Sequence, residues 1–146
     1  FPGYRQDLED HSVTYENGQA RERTQVLMDL ANKSGGLVIG TGDMSELALG
    51  WATYNGDHMS NYAVNCSVPK TLVKYIVQAY ASECASTDEM KNVLCEIADL
   101  PISPELLPPD KDGNIAQKTE ESIGKYDLHD FFLYHFLRNG EAGIGY

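Results

Sequence analysis

Leu37 to Lys70 reads LVIGTGDMSELALGWATYNGDHMSNYAVNCSVPK, and its opening decides the fold. Leu37-Val38-Ile39-Gly40 is a short apolar run of the kind that forms a buried strand in a parallel sheet. Thr41-Gly42-Asp43 follows as a turn, and Asp43 with Glu46 has the D-x-x-E spacing of a capping box. Leu47, Ala48 and Leu49 continue as good helix formers. A strand, a glycine turn and a helix N-terminus gather free backbone N–H groups around an anion. Acids at such a corner suit a site in which Mg²⁺ sits between carboxylates and phosphates.

Working outward, Tyr15 to Gln19 leads into a helix expected over 19–33, with Asn17 as its cap and Gly35-Gly36 as its stop. Its inner stripe is Ala20, Leu27, Leu30 and Ala31. Downstream, 54–64 reads as a polar loop or lid. Ser67 and Pro69 set up a helix with Leu72, Val73, Ile76, Val77 and Tyr80 on its apolar face. Thr87 caps another, with Val93, Leu94 and Ile97 inside. Pro-rich 101–114 reads as irregular, and 117–124 as loop or a single turn. Asp127 and Asp130 repeat the capping pattern ahead of Leu128, Phe131, Phe132 and Phe136, and Asn139-Gly140 ends that helix.

The bulk properties bound the function. At 146 residues the chain is one domain at most, and its net charge of −11 argues against a nucleic-acid partner. No apolar run approaches the length of a membrane span. Cys66, Cys84 and Cys95 form no C-x-x-C pair and fit reduced thiols of a cytoplasmic protein. His129 and His135 are spaced onto different helix faces, so a paired metal site is not expected there.

The blocks GTGDMSELALGW, TYNGDHMS and VNCSVPKTL closely resemble the synthetase domain of glutamine-dependent NAD⁺ synthetases. YENGQARER upstream, with ISPELLP and GKYDLHDFFLYHFLR downstream, matches the same family in the same order, over roughly residues 10 to 138. The resemblance implies an α/β fold: a partial Rossmann-like layer of the adenine nucleotide alpha hydrolase type, helix-rich with a short parallel sheet. It also implies ATP-dependent amidation of deamido-NAD⁺ to NAD⁺ through an adenylated intermediate, with Mg²⁺ as cofactor and no protein nucleophile.

By the same resemblance Thr41, Lys70 and Ser103 contact ATP or its phosphates, and Glu46 binds Mg²⁺ or the dinucleotide. Asn17, Arg21, Trp51, Ala52, Thr53, Tyr54 and Asp57 line the deamido-NAD⁺ site, Trp51 or Tyr54 offering a face to the pyridine ring. Two family features are missing. Ser34-Gly35-Gly36 begins like the SGGxDS pyrophosphate loop, but Val38-Ile39 stand where Asp-Ser belongs, and no glutaminase domain precedes the match. Residues 1–146 are therefore expected to be a carboxyl-terminal portion of the synthetase domain, inactive alone. Exposed sheet edges would favour a homo-oligomer or completion by another chain, in the full enzyme beside a glutaminase domain. The competing expectations are another ATP pyrophosphatase-type amide ligase and a non-catalytic truncated domain acting as an assembly surface.

Overall fold

The structure, a computed structural model, describes residues 12–100, 102 and 119–140. Six helices and two short strands follow in order among these residues: α1 (Val13–Ser34), β1 (Ile39–Gly40), α2 (Met44–Leu49), β2 (Tyr62–Ala63), α3 (Lys70–Glu83), α4 (Asp88–Asp99), α5 (Thr119–Ile123) and α6 (Tyr126–Asn139). The strands pair in parallel, Ile39 beside Tyr62 and Gly40 beside Ala63, so α2 lies in the crossover between them. Parallel strands need such a connection because a tight turn cannot reverse the chain twice.

The expected strand is two residues long rather than four. The second strand comes out of the segment read as a loop, where Val38 accepts from the amides of Asn61 and Tyr62. Gly40 is required at this junction. A Cβ there would stand 2.7 Å from the Ser60 Cβ, so only a glycine lets the two segments approach.

Local signals account for most helix ends. Asp43 and Glu46 close a full capping box on α2, and Thr87 caps α4 by accepting from the Met90 amide. Gly35, Gly50 and Gly140 end α1, α2 and α6 in the left-handed conformation. Two cap assignments are corrected. Helix α1 starts earlier than expected, with Ser12 as its cap, so Asn17 sits inside the helix and its side chain is free for a tertiary contact. Asp127 and Asp130, read as the capping pattern of the last helix, both lie within α6, whose cap residue Lys125 makes no side-chain cap bond.

Packing places α3 against α4, α2 and α6. Among the described residues the buried ones are few: Ala20, Gly56, Ala81 and Tyr126, with the polar Asp43, Ser45 and Asp130. Many side chains of the expected inner stripes stand open, among them Leu27 and Leu30 on α1, Ile76 on α3, Ile97 on α4, and Phe131, Phe132 and Phe136 on α6. Periodicity identifies which side of a helix is apolar; it does not supply a neighbour to cover it. No helix among the described residues is long and apolar enough to cross a membrane.

Candidate functional site

The strand–turn–helix corner is closed by an ion cluster. Lys70, the first residue of α3, extends its ammonium to 2.7 Å from Asp43 Oδ2 and 2.7 Å from Glu46 Oε1. The other two carboxylate oxygens serve the capping box: Glu46 N–H donates to Asp43 Oδ1 at 2.9 Å, and Asp43 N–H donates to Glu46 Oε2 at 3.2 Å. A Met44 amide bond to the Val68 carbonyl, 2.9 Å, brings α2 and the start of α3 together.

The cluster is well enclosed, with side-chain exposures of 18% for Lys70 and 5% for Asp43 and 28% for Glu46. Burial alone would lower the Lys70 pKa, but the hydrogen bonds and charges of Asp43 and Glu46 outweigh it and raise it above 10.5. The ammonium also lies 5.3 Å from the centre of the Tyr126 ring, a cation–π distance. Burial, partly offset by Lys70 and reinforced by the nearby acids, pushes the Tyr126 phenol up to about 12.

A second cluster joins α1 to the loop between α2 and β2. Asn17 Oδ1 accepts from the Thr53 hydroxyl at 2.8 Å, and Arg21 Nε donates to the Tyr54 carbonyl at 3.0 Å. Asp57 Oδ1 accepts from the Thr53 amide at 2.8 Å, and His58 Nδ1 lies 2.9 Å from the Thr53 carbonyl, which fixes the proton on that nitrogen. The loop sits directly on α1: a Cβ at Gly56 would come within 3.1 Å of the Ala20 Cβ. The Tyr54 ring is solvent-exposed and tilted towards His58.

The residues singled out in the sequence therefore fall into groups. Glu46 and Lys70 meet at the corner, while Asn17, Arg21, Thr53, Tyr54 and Asp57 meet on the loop. Thr41 is exposed beside the corner, its carbonyl accepting from Asn65 Nδ2 at 3.4 Å. Trp51 is 40% exposed at the end of α2 rather than packed into the interior, and Ala52 next to it is open. Ser103 lies outside the described residues.

As arranged, Asp43 and Glu46 do not fit Mg²⁺. Every carboxylate oxygen of the pair already faces a protein donor, and a metal 2.0–2.1 Å from Glu46 Oε1 would stand against the ammonium. No group of three potential metal-ligating side chains forms among the described residues. His129 instead places Nε2 2.6 Å from the Ile123 carbonyl.

Sequence reading missed Ser45, Thr71, Tyr126 and the tertiary role of Asp130. Ser45 bonds Asp130 across 85 positions of sequence and Thr71 bonds it across 59, so no local spacing could have signalled either contact.

A short parallel pair with a helix in its crossover, flanked by further helices, defines a partial α/β fold. Comparison with known proteins carries this further. The family model described as NAD synthase matches residues 3–141, and the chain belongs to that family. It is 45% identical over 131 residues to the glutamine-dependent NAD(+) synthetase of Mycobacterium leprae, covering 89% of this chain and 19% of the relative. The corresponding synthetase of Acinetobacter baylyi is 35% identical over 130 residues, with coverages of 89% and 22%. The chain thus spans about a fifth of the length of the curated relatives it matches.

Among solved structures, the NMN synthetase of Francisella tularensis superposes with a TM-score of 0.63 at 24% identity, over 89% of this chain and 45% of that one. That likeness is one of fold. The glutamine-dependent NAD⁺ synthetase of Acinetobacter baumannii, solved with adenosine diphosphate, gives a TM-score of 0.52 at 29% identity, over 91% of this chain and 20% of that one.

Proposed function

We propose that residues 1–146 form a carboxyl-terminal portion of an NAD⁺ synthetase domain and contribute part of the site for ATP-dependent amidation of deamido-NAD⁺. In that reaction an adenylated intermediate forms on the nicotinate carboxylate and ammonia displaces the adenylate, the ammonia coming from glutamine through a glutaminase domain of the full enzyme. The observation that carries the reading is the second cluster. Asn17 and Arg21 reach Thr53 and Tyr54 across more than thirty positions of sequence, so residues assigned to the dinucleotide by motif adjoin one another.

On this reading Asn17, Arg21, Thr53, Tyr54 and Asp57 form one wall for deamido-NAD⁺, and the exposed faces of Trp51 and Tyr54 with Ala52 offer a surface for its pyridine ring. Thr41, Lys70 and Ser103 are assigned by motif to the ATP phosphates. Mg²⁺ would supply charge neutralisation at the phosphates. In this arrangement Glu46 does not hold the ion, because its two oxygens already face the Lys70 ammonium and the Asp43 amide. Cytoplasmic residence is supported by three unpaired cysteines, Cys66, Cys84 and Cys95. Self-association is supported by the open apolar side chains of α6.

Calorimetric titration tests the reading: deamido-NAD⁺, then ATP with Mg²⁺, into this chain and into a version extended upstream to include an SGGxDS loop. Weak binding here and turnover with ammonia in the extended form are expected. Absence of binding to either folded sample refutes the proposal. It would favour the second reading, an assembly surface without catalysis, for which the open Phe131, Phe132 and Phe136 are the motivating feature. Turnover of another carboxylate but not of deamido-NAD⁺ would point to a different ATP pyrophosphatase-type amide ligase.

A further inference from the structure

Helix α3 begins without a cap of its own. Pro69 stands at its cap position and makes no side-chain cap bond, so the first N–H groups of the helix need acceptors from elsewhere. They find two. The Lys70 amide donates to Ser45 Oγ of α2 at 2.9 Å, and the Thr71 amide donates to Asp130 Oδ2 of α6 at 2.8 Å. The Thr71 hydroxyl adds a second bond to the same Asp130 oxygen at 2.7 Å, while the Ser45 hydroxyl donates to Asp130 Oδ1.

Asp130 is 6% exposed and Ser45 is fully enclosed. A carboxylate so deeply placed needs several hydrogen-bond donors, and it also gains from the positive end of the α3 dipole. The consequence falls on Lys70. Its backbone nitrogen is held by Ser45, its neighbour Thr71 is held by Asp130, and Asp130 ties those two anchors to each other. The direction in which the Lys70 side chain leaves α3 is set by this knot, and its end meets Asp43 and Glu46.

We infer that Asp130 is a positioning residue: from α6 it caps α3 and anchors Ser45, and so holds the Lys70 ammonium at the α2 corner. Its bonds go to Ser45 and Thr71 and not to the ammonium, so it acts through those two residues. The role rests on the proposed function only for its consequence, that the ammonium held in this way is the one offered to phosphate.

The test reads Lys70 directly and needs no nucleotide. Lysines of the 146-residue chain are acetylated briefly with acetic anhydride, and the rate at each is measured by peptide mass spectrometry. Lys33 and Lys91, both exposed, serve as references, and Lys74 reports on α3 itself. In Asp130→Asn, which keeps the size and one acceptor, Lys70 labelling is expected to rise about tenfold, with Lys74 labelling and α3 amide exchange unchanged.

An unchanged Lys70 rate in folded Asp130→Asn overturns the inference. A parallel rise at Lys70, Lys74 and the α3 amides does so too, since that is what a plain structural staple gives. Should Asp130→Asn fail to fold, Ser45→Ala and Thr71→Val each remove part of the knot. Faster Lys70 labelling in Thr71→Val, where the Ser45 bond to the Lys70 amide is intact, then supports the role, and unchanged labelling in both variants overturns it. Failure of the nucleotide titration would leave this result standing, so the two ideas fail separately.

Discussion

Replacing Lys70 with methionine removes the ammonium and keeps an unbranched stem against the Tyr126 ring. Two carboxylates lose their cation, and their environments decide the cost. Asp43, 5% exposed, retains one charge-assisted bond from the Glu46 amide, while Glu46, 28% exposed, is partly hydrated and retains the Asp43 amide. Breaking a buried pair by removing one partner costs about 3–5 kcal/mol, whereas an exposed pair is worth less than about 1 kcal/mol. The capping bonds that survive place Lys70→Met at about 3 kcal/mol, most of it from Asp43. Urea unfolding at pH 7, followed by far-UV circular dichroism, measures this. Adding Asp43→Asn should recover about 2 kcal/mol, because asparagine caps a helix nearly as well as aspartate and carries no charge to strand. A cost below about 1 kcal/mol for the single variant, or no recovery in the double, would refute the argument that this cluster holds the corner together.

Three further outcomes are expected. Gly40→Ala should cost about 1–3 kcal/mol by overpacking against Ser60, and Ser60→Gly in the same chain should relieve most of it; equal stability of the two variants would show that the contact gives way freely. Tyr126→Phe should stabilise the chain by about 1 kcal/mol, because the buried hydroxyl has no hydrogen-bond partner among the described residues; a loss in thermal unfolding would contradict that. Both Lys70 and Tyr126 have folded pKa values above their ordinary ones, so the unfolded chain releases these protons first as pH rises. Their contribution is complete below pH 10 and declines towards pH 12, and Tyr126→Phe should show the shallower decline in stability over that interval.

Much of the local structure was written in short-range spacing. The D-x-x-E pattern at Asp43 and Glu46 forms the capping box it announces, Thr87 caps α4, and Gly140 ends α6. These features depend on neighbours within one helical turn, which is why a linear reading can find them. The second strand escaped notice because two residues carry no alternation to detect, and only their pairing with Ile39 and Gly40 makes them a strand.

The candidate site divides in the same way. Residue types at Asn17, Arg21, Glu46, Thr53 and Lys70 drew attention through motif, but which of them touch was a matter of tertiary structure. Folding brings Lys70 onto both acids, so the corner that reads as a cradle for an anion and its metal holds an internal cation. Asp130 carries the sharpest lesson. Its spacing suits a cap for its own helix, yet the carboxylate serves α3, because a capping oxygen binds whichever unpaired N–H groups the packing delivers. Sequence alone determined several helix ends, among them the α2 box, the Thr87 cap and the Gly140 stop, and which faces are apolar, since those depend on backbone sterics and side-chain period. The folded arrangement decided which charges pair, because burial and distance set that balance and neither is a property of residues taken in order.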